Sequence, residues 1–315
     1  MAGQIALKAP SGGIVTINAA DTASNFTLTL PANTGEVVTT ASTAIVTPAM
    51  LSAVAQYTGF KNRSINGGFI INQRAYVSGT ALAAGNYAHD RYKAGSSGCT
   101  YTFTQGALGV NTTITITAGS LQQIIEGCNM PEGGTYVLSW TGSAQARFNS
   151  GTYGASPLAV TGITAGANVT IEFNTGTVGG VQIEVGVTAT SFDMRDYGRE
   201  LIMCQRYYQT SYQGVAVGTP TASFGRSLTI SINSPAAAAF LIPLPVLMRA
   251  APTVIWYNPT TGGTASPIRD ETAGANFSTA VYGAISANQL SVQTLTNPAN
   301  FNLIMSVHYA ATAEL

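Results

Sequence analysis

The chain has 315 residues, enough by length for two or three domains, and carries 13 basic and 13 acidic side chains. Only 8% of it is charged, against about 25% for an ordinary soluble domain, yet 45% is hydrophobic and it holds 14 tyrosines and 11 phenylalanines. This composition argues against a disordered chain, a basic nucleic-acid face and a basic membrane-surface helix, and for a folded protein whose weakly charged surface favours self-association.

The first forty residues read as strands with turns between them. Ile5-Ala6-Leu7-Lys8 and Ile14-Val15-Thr16-Ile17 flank Pro10-Ser11-Gly12-Gly13, and Phe26-Thr27-Leu28-Thr29-Leu30 alternates strictly before a turn at Pro31–Gly35 and Glu36-Val37-Val38-Thr39-Thr40. Phe26, Leu28 and Leu30 share one face, and a module spanning 1–42 is too small to cover that face by itself. A short helical connector is expected over 43–60, with Thr47-Pro48 at its start and Met50, Leu51 and Val54 on one side.

Residues 61–195 return to strands: Thr100–Gln105, Asn111–Thr117, Thr135–Thr141, Asn168–Phe173 and Val181–Val187, separated by turns rich in Gly and Asn. Many short strands with regular turns indicate a β-sandwich of jelly-roll kind, with Trp140 in its core. The densest charge cluster follows: Asp193, Arg195, Asp196, Arg199, Glu200 and Arg206. A helix is expected over 196–208, contributing Leu201, Met203, Cys204, Tyr207 and Tyr208 as apolar side chains, with Asp196 and Arg199 paired at a three-residue spacing. These charges are read as a structural junction whose members neutralise one another. Residues 209–315 are again β, at Ser227–Ile232, Thr253–Tyr257, Leu290–Leu295 and Asn302–Tyr309, with a strong turn at Asn258-Pro259. The expected fold is therefore all-β: serial β-sandwich or jelly-roll domains with a short N-terminal β module and a short connecting helix.

Cys99, Cys128 and Cys204 are too few and too scattered for a disulfide framework or a zinc site, and are expected as free thiols. The start Met1-Ala2-Gly3-Gln4 has no signal-peptide pattern. The longest apolar run, Ala236–Met248, is interrupted by Pro243 and Pro245 and is too short for a bilayer span.

Three blocks carry a family resemblance. The strands at Ile5–Pro10, Asn25–Pro31 and Gly35–Thr40 form the first. Asn62-Arg63-Ser64-Ile65-Asn66-Gly67-Gly68-Phe69, with Asn72-Gln73-Arg74 and Asp90-Arg91-Tyr92, form the second. Val181–Gly186, Thr190–Arg195 and Glu200–Tyr208, continued by Met248–Val254 and Ala313-Glu314-Leu315, form the third and most specific. Together they resemble bacteriophage tail-fibre and related virion proteins. The resemblance implies a homotrimeric virion fibre made in the host cytoplasm, attached to other virion proteins through its N-terminal region and meeting the host surface elsewhere. It assigns no catalytic residue and no cofactor. A head fibre or capsid-decorating protein and a glycan-cleaving depolymerase are the alternatives.

Few residues point to chemistry. His89 and His308 are isolated in sequence, and no nucleophile is placed beside either. The carboxylate pairs Asp193/Asp196 and Asp270/Glu271 have the residue type for glycan cleavage. The first sits among arginines, and the second is expected to be solvated in a Gly- and Pro-rich loop. Gly67-Gly68 and Gly179-Gly180 lack the context of a phosphate cradle and read as turns. Calcium on loop oxygens is left open, because no acidic loop motif locates a site. For a sugar ligand, the loop aromatics Tyr257 and Tyr282, then Tyr153 and Tyr87, are the candidates, with partial burial as the competing reading of each.

Overall fold

The computed structural model describes residues 4–8, 14–18, 61–212, 214–222, 225–231, 238–280, 285–295 and 303–315. The strands expected at Phe26–Leu30 and Glu36–Thr40 and the helix expected over 43–60 lie outside the described residues. Residues 1–51 form one unit and residues 52–315 another. In the first, β1 (Gln4–Lys8) and β2 (Ile14–Asn18) pair antiparallel, with Ile5 opposite Ile17 and Leu7 opposite Val15.

In the second unit the protein is an all-β chain, as its alternating runs require. The first sandwich contains β3 (Tyr92–Phe103), β4 (Ile114–Ile125), β5 (Gly134–Thr141), β6 (Ala146–Phe148), β7 (Leu158–Ile163), β8 (Val169–Phe173) and β9 (Gly176–Val185). They lie in the order β6-β8-β4-β9-β5-β7, with β3 also on β4. All of these pairings are antiparallel.

The long strands β3 and β4 run beyond the stretches where alternation is visible. In β4, Ile114 and Ile116 are buried, then Leu121 and Ile125, so the buried parity changes partway along. In β3 it changes between Ala94 and Cys99. Both changes coincide with a break in register between the two strands. Gly98 and Gly119 sit there with φ of +78° and +70°, and a Cβ on Gly119 would lie 2.0 Å from the Gly98 carbonyl oxygen. Glycine is required because neither the backbone conformation nor the close approach tolerates a side chain. The irregularity lets one pair of strands turn different side chains inward at its two ends.

The sandwich core gathers Phe69, Tyr92, Tyr101, Leu121, Leu138, Trp140, Phe173 and Ile183. Trp140 stands edge-on to Phe173 at 5.4 Å between ring centroids, and its indole N–H donates to the Ala144 carbonyl at 2.9 Å. The aromatic body is thereby buried without stranding its polar atom.

A single helix among the described residues, α1 (Tyr197–Gln205), follows. The second β region contains β10 (Tyr208–Thr210), β11 (Ser227–Ser231), β12 (Ala239–Pro243), β13 (Thr253–Tyr257), β14 (Ile268–Asp270), β15 (Asn276–Phe277), β16 (Thr279–Ala280), β17 (Gln289–Thr294) and β18 (Leu303–Thr312). Strand β18 organises it: β10 and β13 pair along its C-terminal half, β11 and β14 along its N-terminal half. A smaller sheet, β12-β17-β16, contributes Phe240, Leu290 and Val292 to a core shared with Leu303, Met305 and Val307.

Cys99 and Cys204 are buried and Cys128 exposed, all three as free thiols. Removing most of a buried aromatic leaves a cavity that the sandwich cannot fully collapse. The expected cost of Phe173→Ala is about 3–5 kcal/mol, read as a lower urea midpoint with little change in slope.

Candidate functional site

The segment 61–78 has little regular structure, so its polar main chain has to be satisfied by other groups. Three buried amides do this. Asn62 donates to the Val181 carbonyl at 2.9 Å and accepts from the Ser64 and Ile183 N–H groups at 2.9 and 3.1 Å. Asn66 accepts from the Ile70 and Ile71 N–H groups and donates to the Ile71 and Asp90 carbonyls. Gln123 on β4 accepts from the Ile65 N–H at 3.0 Å and donates to the Ile65 carbonyl at 2.7 Å. Gly67 passes so close to the Val181 carbonyl oxygen that a Cβ would lie 2.1 Å from it. The Asn-Arg-Ser-Ile-Asn-Gly-Gly run is thus explained by backbone packing.

Helix α1 is fastened to this segment by charge. Asp196 caps its start, accepting from the Arg199 N–H at 3.0 Å, and pairs with the Arg199 side chain at 3.3 Å on the surface. Arg195 and Glu200 form a buried pair at 3.2 Å. Arg195 also donates to the Ser64 and Asn62 carbonyls, and Glu200 accepts from the Asn66 N–H. Asp193 accepts from the Lys61 N–H at 3.0 Å and from the Asn62 N–H at 3.4 Å. Of the six charged residues expected as a junction, Arg195 pairs with Glu200, Asp196 with Arg199 and Arg206 with Glu126, whereas Asp193 meets main-chain N–H groups. Arg206 reaches Glu126 at 3.4 Å, and Tyr207 donates to the same carboxylate at 2.6 Å. Burial works against that carboxylate, yet the hydrogen bonds from Tyr207 and Cys128 and the Arg206 charge hold its carboxyl below the usual range.

A second set of charges, not anticipated from spacing, ties the last residues to the first sandwich. Glu314 pairs with Arg91 and, at 3.1 Å, with Arg74. The Arg91 guanidinium lies 3.5 Å over the Tyr207 ring, and that of Arg74 lies 3.7 Å over Tyr208. Tyr87 and Lys93 donate to the Leu315 main-chain oxygen at 2.7 and 3.0 Å.

Beside this clasp runs a groove. One depression, about 550 Å³, lies between the 71–73 stretch, helix α1 and the start of the second β region, with Tyr197, Gln205, Ser211, Ser227 and Tyr309 in its wall. A second, about 450 Å³, shares Asn72, Tyr197 and Gly214 with the first and adds Tyr76 and Phe103. A third, about 610 Å³, shares Ser78 and Phe103 with the second and is otherwise lined by Thr102, Thr104, Thr113 and Thr115. Among the described residues, none of the lining side chains is charged. Helix geometry explains part of this. Tyr197, Leu201 and Gln205 recur every four residues and face the groove, whereas Glu200 and Cys204 lie on the buried side.

The described sugar-binding candidates, Tyr87, Tyr153 and Tyr257, have separate partners. Tyr87 belongs to the clasp. Tyr153 lies under the Arg147 guanidinium at 4.6 Å on the first sandwich. Tyr257 packs edge-on against Tyr212 at 5.8 Å. Tyr282 lies outside the described residues. No local motif joins the groove residues in the sequence, because they come from eight separated stretches.

The histidines are bracketed by hydrogen bonds. His89 Nδ1 lies 2.7 Å from the Tyr101 hydroxyl, and burial pushes its imidazole down to about 4. His308 Nδ1 lies 2.9 Å from Ser211 Oγ, but Nε2 faces the Thr221 carbonyl at 2.9 Å where a carboxylate would be needed to orient a base. Ser211 Oγ in turn accepts from the Tyr309 N–H at 2.9 Å, so the pair ties a loop to β18. Asp270 is 1% exposed, contrary to the expected solvated loop. It ends β14 and accepts from the Thr272 and Ala273 N–H groups at 2.8 and 2.9 Å. Glu271 points elsewhere, to Arg226 and Ser306. Among the described residues no three His, Cys, Asp or Glu side chains converge as a metal site, and no helix is long and apolar enough to cross a membrane.

No family model, curated protein or solved structure matches the chain.

Arg195→Ala leaves the Glu200 carboxylate buried without its cation. The expected cost is about 3–5 kcal/mol in equilibrium unfolding, and a loss below about 1 kcal/mol would show the pair to be energetically idle. His89 makes a separate prediction. The unfolded imidazole takes up a proton near 6.5 and the folded one near 4, so His89 contributes stability above pH 6.5 that is lost as pH falls toward 4. The contribution is about 3 kcal/mol. NMR titration of the His89 ring should give a midpoint near 4, and one near 6.5 contradicts a buried neutral ring.

Proposed function

We propose that the chain is a structural virion protein of a bacteriophage, a tail fibre that assembles from copies of itself, three in this reading, and contacts the host surface without catalysis. The observation that carries this reading is an uncharged apolar face in a chain whose charges are largely paired. Leu228 and Ile230 on β11, Ile304 on β18 and Leu241 on β12 are 57, 62, 46 and 59% exposed. Ile230 stands opposite Ile304 in the ladder, so both point to the same side of the sheet. Leu228 and Leu241 flank one shallow depression between β11 and β12. Neither strand contains a charged residue.

A monomer rarely leaves such aliphatic side chains in water side by side. A second copy offers the same face, and zero net charge removes long-range repulsion between copies. The resemblance of the three sequence blocks to virion fibres supplies the biological setting, with the N-terminal region as the part that meets other virion proteins.

Sedimentation velocity of the purified full chain should give an oligomer, and the double variant Ile230→Lys/Leu241→Lys a smaller species with a folded circular-dichroism spectrum. A wild-type chain that remains monomeric overturns the assembly reading. Immunogold labelling of intact particles should place the chain on the tail. Labelling of the head points to a head fibre or decorating protein instead, and unlabelled particles remove the virion assignment. Release of reducing ends from host polysaccharide overturns the non-catalytic assignment.

A further inference from the structure

We propose that the groove beside helix α1 binds a neutral oligosaccharide. The inference rests on the surface-contact reading above and names the ligand class and the site. Three features of the groove converge on that class.

The first is charge. In a chain that places arginines and carboxylates throughout the adjoining clasp, the groove wall has none. A carboxylated or sulfated ligand, or a nucleic acid, would lose its hydration there with no opposite charge to replace it. A fatty or purely apolar ligand fits no better, because hydroxyls and amides interrupt the wall throughout its length.

The second is the kind of polar group. Many polar side chains here are already committed to the fold: Asn72 holds both polar main-chain atoms of Tyr76, and Thr210 and Ser211 bond to the main chain of Tyr309. Four are not. The hydroxyls of Tyr197, Ser227 and Tyr309 and the amide of Gln205 make no hydrogen bond among the described residues. All four line the 550 Å³ depression beside helix α1. They offer donors and acceptors at one place, which suits a ligand that carries both on neighbouring atoms, as sugar hydroxyls do. Tyr197 also presents an amphipathic ring against which the C–H face of a sugar can pack.

The third is shape. The depressions join end to end through shared residues, and the third continues as a row of hydroxyls, with Thr102 opposite Thr115 across the β3–β4 ladder. A linear chain of several residues, and not a single ring, uses that length. The walls are held by the ion pairs and buried amides of the clasp, so little ordering cost is left for binding.

Calorimetry on the full chain, using neutral hexasaccharides of glucose, mannose, galactose and N-acetylglucosamine beside oligomers of sialic and galacturonic acid, tests this. At least one neutral hexasaccharide should bind at millimolar concentration or tighter, and the acidic oligomers should not. Gln205→Ala and Tyr197→Phe should each weaken binding by about 3–10-fold, the loss of one hydrogen bond. Ser227→Tyr, which fills the depression beside helix α1, should abolish it with the thermal midpoint unchanged, and Tyr153→Ala should leave it intact. Absence of binding to every neutral probe, preference for the acidic ones, or equal binding by Ser227→Tyr overturns the proposal. Cell adhesion separates the two readings. A chain that adheres to host cells equally well with Ser227→Tyr retains its surface-contact role and loses this site. A chain that binds the sugars but is missing from particles keeps the site and loses the fibre assignment.

Discussion

A guanidinium cannot be taken out of water cheaply, and Arg195 is almost wholly out of water. Its cost is met by one carboxylate, Glu200, and two main-chain carbonyls, those of Asn62 and Ser64. That requirement fixes a great deal. It brings the start of helix α1 against the 62–66 segment, which in turn is locked to the first sandwich through Gln123 and Val181. It also sets the direction in which the chain leaves the helix toward β10. A hydrophobic isostere could fill the same volume, but it would not specify which carbonyls to meet, and the segment has little regular structure of its own to decide the matter.

The same economy operates at the other end of the unit. Arg91 and Arg74 meet Glu314 and lie over the rings of Tyr207 and Tyr208. Two tyrosines adjacent in sequence thus serve as platforms for two arginines of the first sandwich. These contacts tie residues far apart in the chain, so much of the sparse charge is spent on joining and little on coating the surface. The outward sheet faces are left to Thr, Ser, Leu and Ile. A surface of that kind keeps few charges to oppose association, and the exposed row at Leu228, Ile230 and Ile304 lies where sheet can meet sheet.

How much of this was legible in the sequence depended on whether the signal was local. Period-two alternation revealed β5, β8, β11 and β13 nearly to their ends and the second half of β9, and Asp196 marked the start of α1 because capping is a contact between near neighbours. The parity change at Gly98 and Gly119 concealed half of β3 and β4, because a strand that reverses its buried face midway no longer alternates. The junction was visible as a cluster of charges, but its partners were not. Glu126, Glu314 and Asn66 sit in unremarkable contexts, and only the fold makes them neighbours. Asp270 departs from its expectation for a related reason: a carboxylate among Gly, Pro and Thr looks solvated until strand pairing buries it and the Thr272 and Ala273 amides turn to it. Tyr87, Tyr153, Tyr257 and Tyr282 each stand beside Asn or Gly, which marks a turn and says nothing about what converges on it.

Helix α1 explains why the clasp and the groove can differ so completely in charge while sharing a wall. With rows repeating every four residues, a nine-residue helix has room for Tyr197, Leu201 and Gln205 on one side and for Glu200 and Cys204 on another. The charge that anchors the helix is therefore shielded from the groove by the helix itself, and the groove can stay neutral although a buried ion pair lies just behind it. The arrangement also makes the groove's shape depend on that pair. Loss of Arg195 would release the helix from the 62–66 segment and move Tyr197 and Gln205 together, because they belong to one rigid element. The uncharged face and the charged anchor are two sides of a single constraint, the need to position one short helix between two β regions.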